Sequence, residues 1–232
     1  MLRPWSQNAE QNPAGWQGKN WRGLGYDIYA YFPEFPPDGD PTNDNIGDPG
    51  SVGSQTSDFQ VDYQDTSADF WRIVDAHKPR ILITTSRGGH IPWELEAIEG
   101  GHGETTNADP SDDWTSDRYG SVTLPTQATI DARSWEAIST YRTGKTLTSR
   151  LPLSAIKAAT EDLSEVEIEN GTSGNYLSGF MGLHGLFYNK THAHNVAAGH
   201  IHVGREVPVN LARNLIEASV IATIQAHPPQ CE

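Results

Sequence analysis

Three side chains in this sequence together describe a hydrolytic chemistry: Ser178, His202 and Glu96. A serine hydroxyl is a weak nucleophile near neutral pH and needs a base beside it. An imidazole supplies that base, and a carboxylate on its other nitrogen orients it and stabilises its charged form. Ser178 follows the glycine-rich stretch Gly171-Thr172-Ser173-Gly174 and falls in the first turns of an expected helix. Free backbone N–H groups and the positive end of the helix dipole favour an oxyanion there. His202 belongs to Gly199-His200-Ile201-His202-Val203, an expected strand. Side chains alternate along a strand, so His200 and His202 share a face. Glu96 comes shortly after the Gly88-Gly89 turn. Each residue also has an ordinary structural role, as helix cap, hydrogen-bonded strand histidine or solvated glutamate.

A second grouping is His192, His194, His200 and His202, two His-x-His pairs of the kind that bind zinc or nickel. No cysteine pair or His-Glu-x-x-His helix accompanies them, so no bound metal and no cofactor are expected. Cys231, the one cysteine, follows Pro228-Pro229 at the C-terminus, where a nucleophile would be poorly held.

The elements that must position these groups are legible as alternating strands and helices. Tyr26 to Phe32 reads as an aromatic strand. Asp65-Thr66-Ser67 offers a cap for a helix carrying Phe70, Ile73, Val74 and His77, stopped by Lys78-Pro79. Ile81 to Thr85 reads as a strand buried on both faces. Pro152, Leu153, Ile156, Ala159 and Leu163 mark a helix, and Val166 and Ile168 a short strand. Tyr176, Leu177, Phe180, Leu183 and Phe187 mark the helix of Ser178. Ala198 to Val203 follows as a strand, and Leu211, Leu215, Ala218, Ile221 and Ile224 line a final helix. This order predicts an α/β three-layer sandwich, with a mostly parallel central sheet and helices on both faces. Ligands of such sheets bind at the carboxyl ends of strands. The turns at Gly88-Gly89, Gly171–Gly174 and His200–Gly204 are therefore expected along one edge. Long polar loops are expected near 34–60 and 100–125, within one domain spanning 1–232.

Composition narrows the partners. The chain has 232 residues and a net charge of -14, from 30 acidic and 16 basic residues, with no basic run. Nucleic acid is not an expected partner. No apolar stretch reaches the ~20 residues of a membrane span and no signal peptide is visible, so a cytoplasmic location is expected.

Several segments, in order, resemble the pyroglutamyl peptidase (pyrrolidone carboxypeptidase) family. Arg3-Pro4-Trp5-Ser6 through Asn12-Pro13 resembles its F-x-P-F-G-G stretch followed by N-P. His77-Lys78-Pro79 resembles its H-K-P, and Gly88-Gly89-His90 through Glu96 its G-G-R…E. Thr148 to Leu153 resembles F-S-T-L-P-I. Gly174-Asn175-Tyr176-Leu177-Ser178-Gly179 resembles A-G-T-Y-x-C-N, and Gly199 to Val203 resembles G-x-I-H-V.

The resemblance implies the family's α/β fold and a Cys-His-Glu site that removes an N-terminal pyroglutamyl residue. It sets Ser178 at the nucleophile, His202 at the base and Glu96 at the orienting carboxylate. It also implies substrate contacts at Leu2, Trp5, Asn12, Gly88, Gly89 and His90, and a homo-oligomer. Serine replaces the family's cysteine, His90 its arginine, and Leu2 one of its two ring-holding aromatics. The family's first strand, expected just before Leu2, is not seen: the chain is a fragment or processed form, or another segment fills its place.

The expected function is a divergent hydrolase acting on a peptide N-terminus or small amide, weak or inactive on pyroglutamyl substrates. The alternatives are an inactive homologue that binds a peptide or supports an assembly, and a metal-binding protein using the four histidines.

Overall fold

The computed structural model describes residues 19–31, 63–101, 141, 145–171 and 177–229. In chain order the elements are α1 (Tyr63–His77), β1 (Ile81–Arg87), β2 (Trp93–Glu96), β3 (Ile98–Gly100), β4 (Thr146–Thr148), α2 (Leu153–Thr160), β5 (Val166–Glu169), α3 (Leu177–Thr191), β6 (Ala197–Val203) and α4 (Val209–Ala226). Four strands form a central sheet in the order β1-β6-β2-β5, and β3 pairs with β4 in a second, antiparallel sheet. β1 runs parallel to β6 and β2 parallel to β5, while β2 and β6 meet antiparallel. The architecture is α/β with a mostly parallel central sheet.

Strand alternation sorts the side chains into two faces. Trp93, Leu95, Val166, Ile201 and Val203 point to one face and build a core with Ile156 of α2 and Ala212, Leu215 and Ile216 of α4. The Trp93 indole N–H donates to Ser219 Oγ at 3.2 Å, tying β2 to α4. α3 covers the opposite face over β1 and β6, with α1 packed behind it. Phe70, Trp71, Val74, Phe180, Leu183 and Tyr188 form that second core.

Several local expectations change. Tyr26–Tyr31 is not a ladder strand, since only Ile28 makes an isolated bridge. Its aromatic side chains serve as anchors: the Tyr26 hydroxyl donates to the His227 carbonyl, Tyr29 stacks on His77, and Tyr31 hydrogen-bonds His77. α1 begins at Tyr63, so Asp65-Thr66-Ser67 lies within the helix, not at its cap. Lys78 does end it, at φ 45° before Pro79. β1 is an edge strand among the described residues, so Ile81–Ile83 is only half-buried. α2 stops at Thr160, whose hydroxyl turns back to the Ile156 carbonyl, and Leu163 is 44% exposed beyond it. The buried face of α4 carries Ala212, Leu215, Ile216, Ser219, Ala222, Thr223 and Ile224, rotated from the stripe of largest residues. Apart from Gly100 and Gly101, the long loops near 34–60 and 100–125 lie outside the described residues, as does Cys231.

The three glycine turns do not share one edge. β6 ends level with the start of β2, and β5 runs with β2. Gly88 and Gly204 therefore leave at one end of the sheet, and Gly171 at the other.

Candidate active site

His202 is held by β6, every residue of which is buried. The antiparallel register sets Glu94 directly across from His202. Glu96, two residues on, shares that face. The outcome is a hydrogen bond from His202 Nδ1 to Glu96 Oε1 at 2.6 Å, with Glu94 Oε2 3.9 Å from the same nitrogen. A carboxylate only accepts, so the imidazole proton sits on Nδ1 and Nε2 is left as the acceptor. Glu96 is 1% exposed, and its second oxygen, Oε2, has no hydrogen-bond partner among the described residues. Burial pushes the Glu94 carboxyl above its usual range, and the neighbouring charge of Glu96 pushes it further.

Gly88 backs the histidine. A Cβ at this position would lie 2.6 Å from His202 Cβ, so a glycine is what lets the turn close over the imidazole. The Gly88 N–H donates to the Val203 carbonyl at 2.7 Å, and the Arg205 N–H donates to the Gly89 carbonyl at 3.1 Å. Gly89 and His90 are exposed at the same end of the sheet.

Ser178 is half-buried, one residue into α3. α3 passes into β6 through residues 192–196, with the Asn189 amide donating to the Asn195 carbonyl at 2.9 Å. The helix therefore runs antiparallel to β6, and its first turn lies toward the strand end that carries His202. Ser178, Gly182 and Gly185 fall on one helical stripe. A Cβ on Gly185 would touch Thr84 at 3.5 Å, and Thr84 is the register partner of His200. Ser178 lies two turns back from Gly185, roughly 10 Å. His202 lies two strand residues beyond His200, roughly 7 Å. Both residues thus reach the same end of the α3–sheet interface. Among the described residues no hydrogen bond joins Ser178 to His202.

The other histidines are engaged elsewhere. His200 is fully buried, with Thr84 Oγ1 2.8 Å from Nδ1 and Ser86 Oγ 2.8 Å from Nε2. Burial holds its pKa well below the ordinary histidine value, so it is a neutral residue behind His202, ring centroids 4.9 Å apart. His194 Nε2 bonds the Tyr188 hydroxyl at 2.8 Å, and His192 stacks on the Tyr188 ring. Both precede β6, while His202 lies five strand residues past Ala197, roughly 17 Å on. The four histidines are thus not assembled into one site.

What does assemble, among the described residues, is Glu94, Glu96 and His202, whose donor atoms all lie within 4.8 Å of one another. Glu94 was missed in the sequence. The signal was present in Trp93-Glu94-Leu95-Glu96, where acidic and apolar residues alternate as in a strand. Leu2, Trp5 and Asn12 lie outside the described residues.

A cavity of about 490 Å³ lies elsewhere, between the outer edge of β1, the segment 26–31 and α4. Neither Ser178, His202 nor Glu96 lines it. No helix among the described residues is long and apolar enough to cross a membrane.

No protein-family model matches the chain, and no curated protein matches it in sequence. Solved structures do match. Pyrrolidone carboxyl peptidase from Thermococcus litoralis superposes with a TM-score of 0.53 at 17% identity, covering 71% of this chain and 74% of that one. A mutant pyrrolidone carboxyl peptidase from the hyperthermophile Pyrococcus furiosus gives 0.52 at 16% identity, covering 72% and 79%. At these identities the likeness establishes a shared fold.

Proposed function

We propose that this chain is a hydrolase of pyroglutamyl-peptidase-like architecture, acting on the amide of a peptide N-terminus or a small amide. Ser178 is the nucleophile, His202 the base and Glu96 the orienting carboxylate. The observation that carries this reading is the hydrogen bond between His202 Nδ1 and Glu96 Oε1, which leaves Nε2 as an acceptor. The fold shared with pyrrolidone carboxyl peptidases supports it.

In this reading Nε2 takes the Ser178 proton as Oγ attacks the substrate carbonyl carbon. The developing oxyanion is met by backbone N–H groups at the start of α3. The imidazolium, stabilised by Glu96, returns the proton to the leaving amine as the C–N bond breaks, leaving an ester on Ser178. Water, deprotonated by the same nitrogen, hydrolyses that ester and restores the hydroxyl. Gly88 shapes the wall beside His202, Gly89 and His90 flank it, and Leu2, Trp5 and Asn12 remain proposed substrate contacts.

A panel of aminoacyl and pyroglutamyl amide reporters tests the function, assayed on the unmodified chain, Ser178→Ala and Ser178→Cys. Pyroglutamyl turnover is expected well below an ordinary enzyme rate of about 10 per second. It should be lost in Ser178→Ala and raised in Ser178→Cys, because a thiol beside an imidazole ionises more readily. No hydrolysis of any reporter by either the unmodified chain or Ser178→Cys identifies an inactive homologue instead.

A further inference from the structure

We propose that Glu94, Glu96 and His202 form a binding site for one divalent transition-metal ion of the zinc class. The site offers one imidazole nitrogen and two carboxylates, all within 4.8 Å, on the facing sides of two paired strands. Strands in fixed register hold donors more firmly than loops do.

Two observations beyond the cluster point to a cation. The first is Glu96 Oε2, which is buried and, among the described residues, lacks a hydrogen-bond partner while Oε1 lies against His202. A carboxylate out of water and satisfied at one oxygen only is costly, and a bound dication offsets that cost. The second is the register of the next strand pair. Glu94 lies opposite Glu167, and Glu96 opposite Glu169. Like charges facing each other across strands destabilise a sheet, so four carboxylates on one face form a standing attraction for positive charge.

The donor set selects the class of ion. Magnesium and calcium prefer cages of oxygen alone, whereas a nitrogen with carboxylates suits zinc and its neighbours. Zinc–ligand bonds of about 2.0 Å set tetrahedral donors about 3.3 Å apart. Nδ1 and Glu96 Oε1, now at 2.6 Å, would open slightly, and Nδ1 and Glu94 Oε2, now at 3.9 Å, would close by a similar amount. The Glu94 side chain is 17% exposed, giving the ion a path from solvent and a position for water.

Metal on Nδ1 breaks the bond to Glu96 and leaves the neutral imidazole with its one proton on Nε2. That nitrogen then cannot accept the Ser178 proton, so metal occupancy and general-base work exclude each other. This last consequence rests on the function proposed above, while the binding itself does not.

The test titrates the untagged, metal-stripped full chain with zinc chloride by calorimetry, and with cobalt(II) followed by visible absorption. One ion per chain is expected, with cobalt bands typical of a low-coordinate site. Glu94→Gln, at a partly exposed position and with its folding checked by circular dichroism, should weaken zinc binding on the order of tenfold or more. His192→Ala should leave it unchanged. Absence of binding at millimolar zinc overturns the proposal. So does binding that Glu94→Gln leaves unaltered or that His192→Ala abolishes. Affinity is read directly, so a chain that hydrolyses nothing still decides the question.

Discussion

Glu96 and His202, 106 positions apart in the chain, meet at 2.6 Å through a hydrogen bond that is almost wholly withdrawn from water. The carboxylate both fixes the imidazole tautomer and waits beside the charge that forms when Nε2 accepts a proton. Glu96→Gln keeps the size and an acceptor but removes the charge. The expected result is a fall in kcat on the order of 100-fold or more with little change in KM, the pattern of an interaction made in the transition state. Steady-state kinetics on the best reporter substrate checks it. A change confined to KM would assign Glu96 to substrate binding instead.

The approach of α3 to the sheet yields a paired prediction. A methyl on Gly182 would overlap the buried carboxylate of Glu99, whereas one on Gly185 meets Thr84 at an ordinary 3.5 Å. Gly182→Ala is expected to destabilise by about 1–3 kcal/mol through overpacking. Gly185→Ala is expected to be neutral or to gain up to about 1 kcal/mol from helix propensity. Urea unfolding midpoints of the two variants decide this, and equal midpoints would mean that α3 does not sit on the sheet as described.

His184 gives a prediction about pH. It is fully buried between α1 and α3, its Nδ1–H donating to the Phe180 carbonyl and its Nε2 accepting from the Ser67 hydroxyl. Burial lowers its pKa from 6.5 to about 4. Between those values the unfolded chain binds a proton that the folded chain refuses, so stability falls as pH drops below about 6.5. The loss levels off near pH 4 at about 3 kcal/mol. An NMR titration of the imidazole should show His184 still neutral at about pH 5.5. Titration of the folded protein near the unperturbed value would contradict this.

The alternation of strands and helices was legible because β1, β6, α2, α3 and α4 are each marked by apolar spacing. β2 does alternate, Trp93 and Leu95 against Glu94 and Glu96, but at four residues it is short for a period to stand out. Glu96 has a solvated reading beside the catalytic one until the structure sets it, with Glu94, on the face of His202. β3 and β4, three residues each, are too short to carry a period. The aromatic run at Tyr26–Tyr31 has strand composition, yet its rings are spent on His77 and the His227 carbonyl. In α4 the large residues Leu211 and Ile221 are only half-buried, while Ala212, Ser219 and Ala222 lie on the buried face, with Ser219 accepting from the Trp93 indole. The pairing of Glu94 is not legible from spacing, because its partner His202 comes from a strand more than 100 residues away.

Covalent labelling tests whether Ser178 is an activated nucleophile without requiring the substrate to be known. A fluorophosphonate reacts with an activated serine, Oγ bonding to phosphorus as fluoride leaves, and intact-mass spectrometry counts the adduct. One adduct per chain is expected, located on Ser178 by peptide mapping, lost in Ser178→Ala and strongly slowed in Glu96→Gln. Absence of any adduct, or an adduct that persists in Ser178→Ala, would contradict a serine hydrolase built on Ser178, His202 and Glu96.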